Sequence, residues 1–321
     1  MPSSMPPLPG FEREVLVPDG QTPYRDGFNR FQFCFRHRLA DDDLFAIPRL
    51  VELAERIVRS GTPEHFVVFG ATRGSAKTKF SQLGLETSLA ERVAEVSQER
   101  TWLKLAFAQD HDPAFRALHE ELLDEIERLT DFPLHHELGW SSMTIMLASP
   151  GIVTPYHIDH ESNFLFQIRG TKDIWLFDPA DRRVLSEQEI ERYYAGDIHA
   201  ADFRDDLQNV ALPCRLRPGL GVHNPPLAPH WVRNGSDISV SLSLNFSLRR
   251  LESRARVYQV NHYLRRLGIR PRPPERSALI DWLKSEPVRA IAGAAPRSLD
   301  ELLQSGPRRL AAGLGRIGRM H

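Results

Sequence analysis

Cysteine is nearly missing. The 321-residue chain has two, Cys34 and Cys214. Two cannot make a disulfide framework, and Cys34 lies in the run FQFCFRH, which reads as buried strand, so a reduced, cytoplasmic protein is expected. No uninterrupted apolar run approaches the roughly 20 residues of a membrane span. The opening residues, MPSSMPPLPGFERE, have neither the basic nor the apolar region of a secretory signal. An excess of one charge is also lacking: 41 Lys and Arg face 42 Asp and Glu, a formal net charge of −1. Overall charge therefore gives no support to nucleic acid or a membrane surface as a partner. No repeat of about 20–50 residues is apparent. The 41% hydrophobic content suffices for one large core with flanking elements, or for two small domains.

Residues 1–22 are rich in proline and polar groups and read as an irregular arm. Phe31, Phe33 and Phe35 then alternate with Gln32 and Cys34, the pattern of a strand with one apolar face. Beyond Asp41 to Asp43, the spacing of Leu50, Leu53, Ala54, Ile57 and Val58 predicts a helix ending near Val58. HFVVFG at 65–70 and TWLKLAFAQ from Thr101 read as strands, with a helical region between them from Ser88 to about Ser97. The loop ATRGSAKTK carries Gly74, Ser75 and Lys77 without the spacing of a P-loop, and reads as solvated. DPAFRALHEELLDEIERL is the strongest helix, with Pro113 in its first turn and Phe115, Leu118, Leu122, Ile126 and Leu129 three or four residues apart. Residues 23–140 thus form α/β elements expected to pack on a barrel built by residues 141–250, where short strands and turns alternate. The charged stretch from Ala180 to about Phe203 is a long connection with helix formers in SEQEIERYY. Residues 251–321 read as helical, with Ser298 and Glu301 in a capping-box pattern. The basic tail PRRLAAGLGRIGRMH has Leu310, Leu314 and Ile317 on one side, suited to packing on the barrel or on a second copy.

The stretch that organises the rest is TPYHIDHESNFLFQIRGTKDIWLFD, from Thr154 to Asp178. In extended chain His157 and Asp159, two residues apart, leave the same face. With a second imidazole from a distant strand they complete a 2-His-1-carboxylate set, which binds iron(II) and leaves coordination positions open. His230, in PPLAPHWVRN, is the preferred second imidazole; His223, seven residues earlier, is its competitor. His160 is expected to point away from the metal. In ISVSLSLNFSL, Ser239, Ser241, Ser243 and Asn245 share one face and Val240, Leu242, Leu244 and Phe246 the other. A solvated edge strand and a strand lining a pocket with small polar groups would both give that alternation.

Asn163 follows Asp159 by four residues and Lys172 follows nine later. With VTPYHIDHESNFLFQIRGTKDIWLF, the PG of RPGLGVHNPP, PHWVRN and VSLSLNF in that order, the chain from about Ser142 to Leu248 resembles the jumonji-C family of iron(II)/2-oxoglutarate oxygenases. The resemblance is nearest to the single-domain hydroxylase branch that includes the asparaginyl hydroxylase inhibiting the hypoxia-inducible factor. The chain departs from the family at Leu220 and Gly221, where many members have an acidic residue and a strand former, and at DPAD, where a double proline is common. What the resemblance implies is a mainly β fold, a double-stranded β-helix (jelly-roll, cupin) core with N-terminal α/β elements and a C-terminal helical region. It implies His157, Asp159 and His230 as metal ligands. Lys172 would pair with the distal carboxylate of 2-oxoglutarate, Thr154 would offer its hydroxyl there, Asn163 would lie near the metal-bound end, and Asn245 near a carboxylate of the cosubstrate. The implied cofactors are Fe(II), 2-oxoglutarate and O2, and the C-terminal helices would make a homodimer.

The implied reaction is hydroxylation of a side chain of a peptide or protein, or of an amino-acid-like small molecule, as 2-oxoglutarate becomes succinate and carbon dioxide. Removal of an N-methyl group uses the same oxidant. A cupin metalloenzyme working without 2-oxoglutarate, and a cupin-fold binding or regulatory protein without catalysis, are the other classes that the ligand residues permit. Asn163 and Lys172 weigh against the former, and the presence of all three ligand candidates against the latter.

Overall fold

The computed structural model describes residues 14–70, 81–83, 96, 101–293 and 295–305. Most of the N-terminal arm, the loop with Gly74, Ser75 and Lys77, nearly all of the helix expected from Ser88 to Ser97, and the basic tail from Pro307 lie outside the described residues.

The strands among the described residues form two antiparallel sheets. The larger runs β1 (Phe33–Arg36), β10 (Leu220–Asn224), β7 (Ser162–Arg169), β12 (Ser239–Leu248), β5 (Leu138–Ala148), β4 (Thr101–Leu105), β2 (Phe66–Gly70) and β3 (Ser81–Leu83). The smaller runs β6 (Val153–His157), β11 (His230–Asn234), β8 (Lys172–Leu176) and β9 (Leu212–Leu216). Chain segments that alternate between two facing sheets make a jelly roll, mainly β with flanking helices. Four strands of the larger sheet come from before residue 140, so the N-terminal elements share the barrel's own sheet.

Period-2 side-chain alternation gives the larger sheet two unlike faces. Leu103 and Leu105 of β4, Met143, Ile145 and Leu147 of β5, Phe164 and Phe166 of β7, and Leu242, Leu244 and Phe246 of β12 all join one apolar core. Helices α1 (Ile47–Arg59) and α2 (Pro113–Thr130) cover it with Leu50, Leu53, Ile57, Phe115, Leu118 and Ile126. Asp112 ties the two helices together. It caps α2 by accepting from the Ala114 and Phe115 amides, and Arg49 and Arg56 of α1 reach the same carboxylate at 2.5 and 2.9 Å. The opposite face looks into the barrel, where Leu165, Ile174, Leu176, Leu216, Val222 and Val232 form a smaller core between the sheets.

The strand β12 is therefore central, paired on both sides with β5 and β7, and not a solvated edge. Its serines face inward, and Ser239 and Ser241 bond to the buried Gln167 at 3.0 and 2.8 Å. The connection after β8 carries α3 (Glu187–Tyr194), which packs with α4 (Arg249–Arg266) and α6 (Leu299–Gln304) in a separate apolar cluster of Tyr193, Tyr194, Tyr258, Leu302 and Leu303. Helix α5 (Ala278–Ala292) packs on α4. Among the described residues no helix is long and apolar enough to cross a membrane.

Three expectations are corrected. Phe31 precedes the strand and is 45% exposed, because the chain is still turning there. Val58, in the last turn of α1, is exposed and not on the buried side. Cys34 is exposed, since Phe33 and Phe35 take the covered face of β1 and turn the residue between them outward.

Gly170 makes the turn from β7 to β8 with φ +71°, and a Cβ there would stand 2.5 Å from the Ile238 carbonyl oxygen. Both the dihedral and the contact require glycine. Gly170→Ala is expected to lower stability by about 1–3 kcal/mol in denaturant unfolding, an unchanged midpoint being the contrary result.

Candidate metal centre

Pairing of β6 with β11 sets His157 directly opposite His230. Their rings lie 4.2 Å apart, centroid to centroid. Asp159, two residues past the end of β6, is held by the Leu227 amide, which donates to its backbone carbonyl at 2.7 Å. The Asp159 carboxylate then stands 3.8 Å from His157 Nε2 and 3.7 Å from His230 Nε2. One ligand atom from each residue lies within 4.8 Å of the others. The Nδ1 atoms face carbonyls, His157 that of Pro155 at 2.7 Å and His230 that of Ala228 at 3.1 Å. Donation of Nδ1–H to those oxygens leaves each Nε2 lone pair aimed at the site, the usual backing of a metal-bound imidazole. Burial, helped by neighbouring His157, pulls His230 down to about 4 and keeps it neutral, as ligation demands.

The competing histidines are engaged elsewhere. His223 is fully buried on the helix-covered face of β10, against Phe28, Phe33 and Phe164. Its Nδ1 donates to the Asn163 carbonyl at 3.0 Å and its Nε2 accepts the Asn29 amide at 3.1 Å, so no nitrogen is left for a metal. His160 points away, bonded to the Tyr194 hydroxyl at 2.8 Å and the Ser247 hydroxyl at 2.7 Å.

A cavity of about 160 Å³ adjoins the triad and brings together all the other residues singled out in the sequence: Thr154, Asn163, Lys172 and Asn245. Asn163 and Asn245 face each other across β7 and β12, and the Asn163 amide donates to Asn245 Oδ1 and to the Ser243 hydroxyl, both at 2.7 Å. Lys172 is buried, and among the described residues its ammonium has no carboxylate or hydrogen-bond partner. Desolvation alone brings it down to about 7. An unpaired cation at such a position lowers stability unless an anion arrives.

Sequence reasoning missed three residues in the same cavity. Lys104 and Trp102 of β4 line it, on the inward face opposite Leu103 and Leu105. The alternation in TWLKL would have placed the lysine and tryptophan together, but not which face looked inward. Asn234, directly across from Lys172 in the pairing of β11 with β8, is buried with its Oδ1 unsatisfied. A second cavity of about 390 Å³ shares Trp102, Lys104, His157, Asp159 and Asn245 with the first. Trp140, Glu161, Tyr193, His199 and Asp300 border it, so the connection after β8 and helix α6 flank the approach to the triad.

Residues 60–250 match the profile of the cupin-like domain, more than half of the chain. The chain belongs to the cupin-like domain family. No curated protein matches the sequence. Among solved structures, Escherichia coli YcfD aligns at 13% identity with a TM-score of 0.47, covering 86% of this chain and 67% of that one. The structure described as YcfD, a ribosomal oxygenase, in complex with cobalt and 2-oxoglutarate aligns at 13% identity and a TM-score of 0.44, covering 81% of this chain and 62% of that one. The DMSP lyase DddQ of Ruegeria pomeroyi aligns over 34% of this chain and 39% of its own, at 16% identity and a TM-score of 0.22. The chain thus spans about two thirds of the YcfD chains' length, and less of DddQ's.

His230→Ala is expected to weaken cobalt(II) binding by more than the roughly 10–100-fold that loss of an outer-shell partner costs. His223→Gln is expected to leave it unchanged. Titration followed by the cobalt absorption bands distinguishes the two; equal losses would reinstate His223 as a ligand.

Proposed function

We propose that the chain is an iron(II)/2-oxoglutarate-dependent oxygenase that hydroxylates a side chain of a peptide or protein, or of an amino-acid-like molecule, in line with its resemblance to the jumonji-C hydroxylase branch. The observation that carries this reading is Lys172, a buried ammonium without a protein anion among the described residues, in the cavity that adjoins the His157, Asp159 and His230 cluster. A metal site alone would suit any cupin. A metal site with a desolvated cation beside it suits a ligand that chelates at one end and carries a carboxylate at the other.

The donor set fits the group it would hold. Two neutral imidazoles and one carboxylate leave neighbouring positions open on a divalent metal. Lys172 would take the distal carboxylate of 2-oxoglutarate, with Thr154 and Asn234 beside it, while Asn163 and Asn245 would hydrogen-bond the end nearer the metal. When bound, iron(II) with 2-oxoglutarate and dioxygen supplies the oxidising power that turns C–H into C–OH as the cosubstrate loses carbon dioxide. The chain's own part is positioning. Trp102 walls the inner cavity, and Trp140, Tyr193 and Glu161 border the outer cavity of about 390 Å³ through which a substrate side chain would approach. Burial and the nearby Asp159 carboxylate push Glu161 up to about 8, so at neutral pH it is a hydrogen-bond donor as much as an acceptor.

Succinate formation by purified protein with iron(II), ascorbate, oxygen and 2-oxoglutarate tests the reading. Lys172→Ala is expected to weaken 2-oxoglutarate binding about 30-fold or more while metal affinity holds. Equal 2-oxoglutarate binding by variant and parent would favour a cupin metalloenzyme that does not use it. Because free Lys172 titrates near 7 and a bound carboxylate raises it again, binding takes up protons at and above that pH. Affinity is therefore expected to be level below about pH 7 and to fall by up to tenfold per unit above it. Calorimetry in two buffers of different ionisation heat reads the proton uptake directly.

The homodimer implied by the resemblance also has a surface to use. Leu279, Trp282 and Leu283 stand on one side of α5 and are 67%, 57% and 56% exposed. Trp282→Glu combined with Leu283→Glu is expected to convert a dimer to a monomer in light scattering. A monomeric parent protein would remove the dimer from the proposal.

A further inference from the structure

The two cysteines of the chain are 180 positions apart, yet their sulfurs lie 2.7 Å from each other. Cys34 is in the middle of β1, the edge strand of the larger sheet, and Cys214 in the middle of β9, the edge strand of the smaller one. Among the described residues β1 pairs with β10 and β9 with β8, so no backbone ladder joins the two edges. The thiols meet across the open seam of the jelly roll. Cys34 is exposed and Cys214 half-buried, which leaves the pair within reach of a dissolved oxidant. The sulfurs need to approach by only about 0.7 Å to reach the roughly 2.05 Å of a disulfide.

We propose that Cys34 and Cys214 are a reversible dithiol–disulfide couple that staples β1 to β9 and closes this seam. The oxidant is a small-molecule disulfide. The Cys34 thiolate attacks one of its sulfurs, forming a mixed disulfide and expelling one thiolate. Cys214 then loses its proton and attacks the Cys34 sulfur, forming the protein disulfide and expelling the second. Two electrons pass from the two cysteines to the small disulfide, and their two protons end on the two small thiols released. The order of attack follows from the contact itself. The hydrogen bond from Cys214 holds the Cys34 thiol below its ordinary range, and the same contact with burial pushes Cys214 up.

The bond would act next to the cosubstrate lysine. In the pairing of β9 with β8, Cys214 stands opposite Ile174 and Leu216 opposite Lys172. Ile174 in turn packs with Val232 and Leu216 in the core between the sheets. Fixing β9 to β1 closes a loop of most of the chain and holds this end of the barrel shut. It stabilises the fold mainly by restricting the unfolded state.

The test uses the full-length wild-type protein incubated with oxidised glutathione at roughly millimolar concentration. The expected result is a monomer lighter by two hydrogens, with no thiol titratable after denaturation and a Cys34–Cys214 crosslinked peptide in the digest. Its thermal midpoint is expected to rise by about 5–10 °C and to return on treatment with dithiothreitol. Cys34→Ser and Cys214→Ser are each expected to show no such rise. Two thiols still free in the folded wild type, stable glutathione adducts on both, or disulfides only between molecules would each overturn the proposal. Because none of these readouts needs activity or metal, they stand apart from the oxygenase reading.

Discussion

The site depends on the pairing of β6 with β11. That ladder places His157 opposite His230 and leaves Asp159, just past the strand end, between the two Nε2 atoms. A shift of one residue in either strand would turn an imidazole to the other face of the sheet and dissolve the cluster. The neighbouring ladder between β11 and β8 sets Asn234 across from Lys172. One strand, β11, thereby positions the second imidazole and a neighbour of the buried cation, so metal and carboxylate would be held by a single rigid element.

A polar barrel interior is costly, and the fold offsets that cost on the other side of the same sheet. Strands β4, β5, β7 and β12 send phenylalanine, leucine, isoleucine and methionine into the core beneath α1 and α2. Their inward faces are then free to carry Lys104, Thr144, Asn163, Ser243 and Asn245. Several inward polar groups bond to one another, as Gln167 does with Ser239 and Ser241 and Asn163 with Ser243 and Asn245. Lys172 and the Asn234 carbonyl remain without protein partners among the described residues, and they lie together in the cavity beside the triad. Other buried polar atoms are also unsatisfied, among them Asn29 Oδ1 and Gln259 Oε1, but these two groups line a cavity beside a cluster suited to a metal, where a ligand can satisfy both.

The helical additions shape access to the centre. The connection carrying α3 and the C-terminal α6 meet in one apolar cluster, which also holds Ile158 between His157 and Asp159 and Leu227 of the turn leading to His230. Arg265 of α4 pairs with the buried Glu191 of α3 at 2.6 Å, fixing the two helices together. Ligand-bearing turns and approach are thus parts of one packed unit. Variation in these segments would change what reaches the His157, Asp159 and His230 cluster without touching the ladders that form it.

His157 and Asp159 could be read from the sequence as a pair on one face because strand periodicity is a local property, and the same holds for the two-faced pattern of β12; the choice of His230 came from the resemblance of PHWVRN to the jumonji-C family. The strongest helix, over Pro113–Thr130, was equally legible from its apolar spacing. Periodicity shows that a strand has two faces, but not which face meets the barrel. Lys104 therefore stayed hidden in TWLKL, and His223 could be set aside only once its face of β10 was seen packed among phenylalanines. Contacts between distant segments were beyond reach for the same reason. Two cysteines separated by 180 residues suggested a chain without disulfide chemistry, and only the closing of one sheet edge toward the other brought their sulfurs together. Sequence by itself determined the chemistry each strand can present; tertiary structure decided which of those groups share a cavity, because that depends on sheet order and on which face is covered.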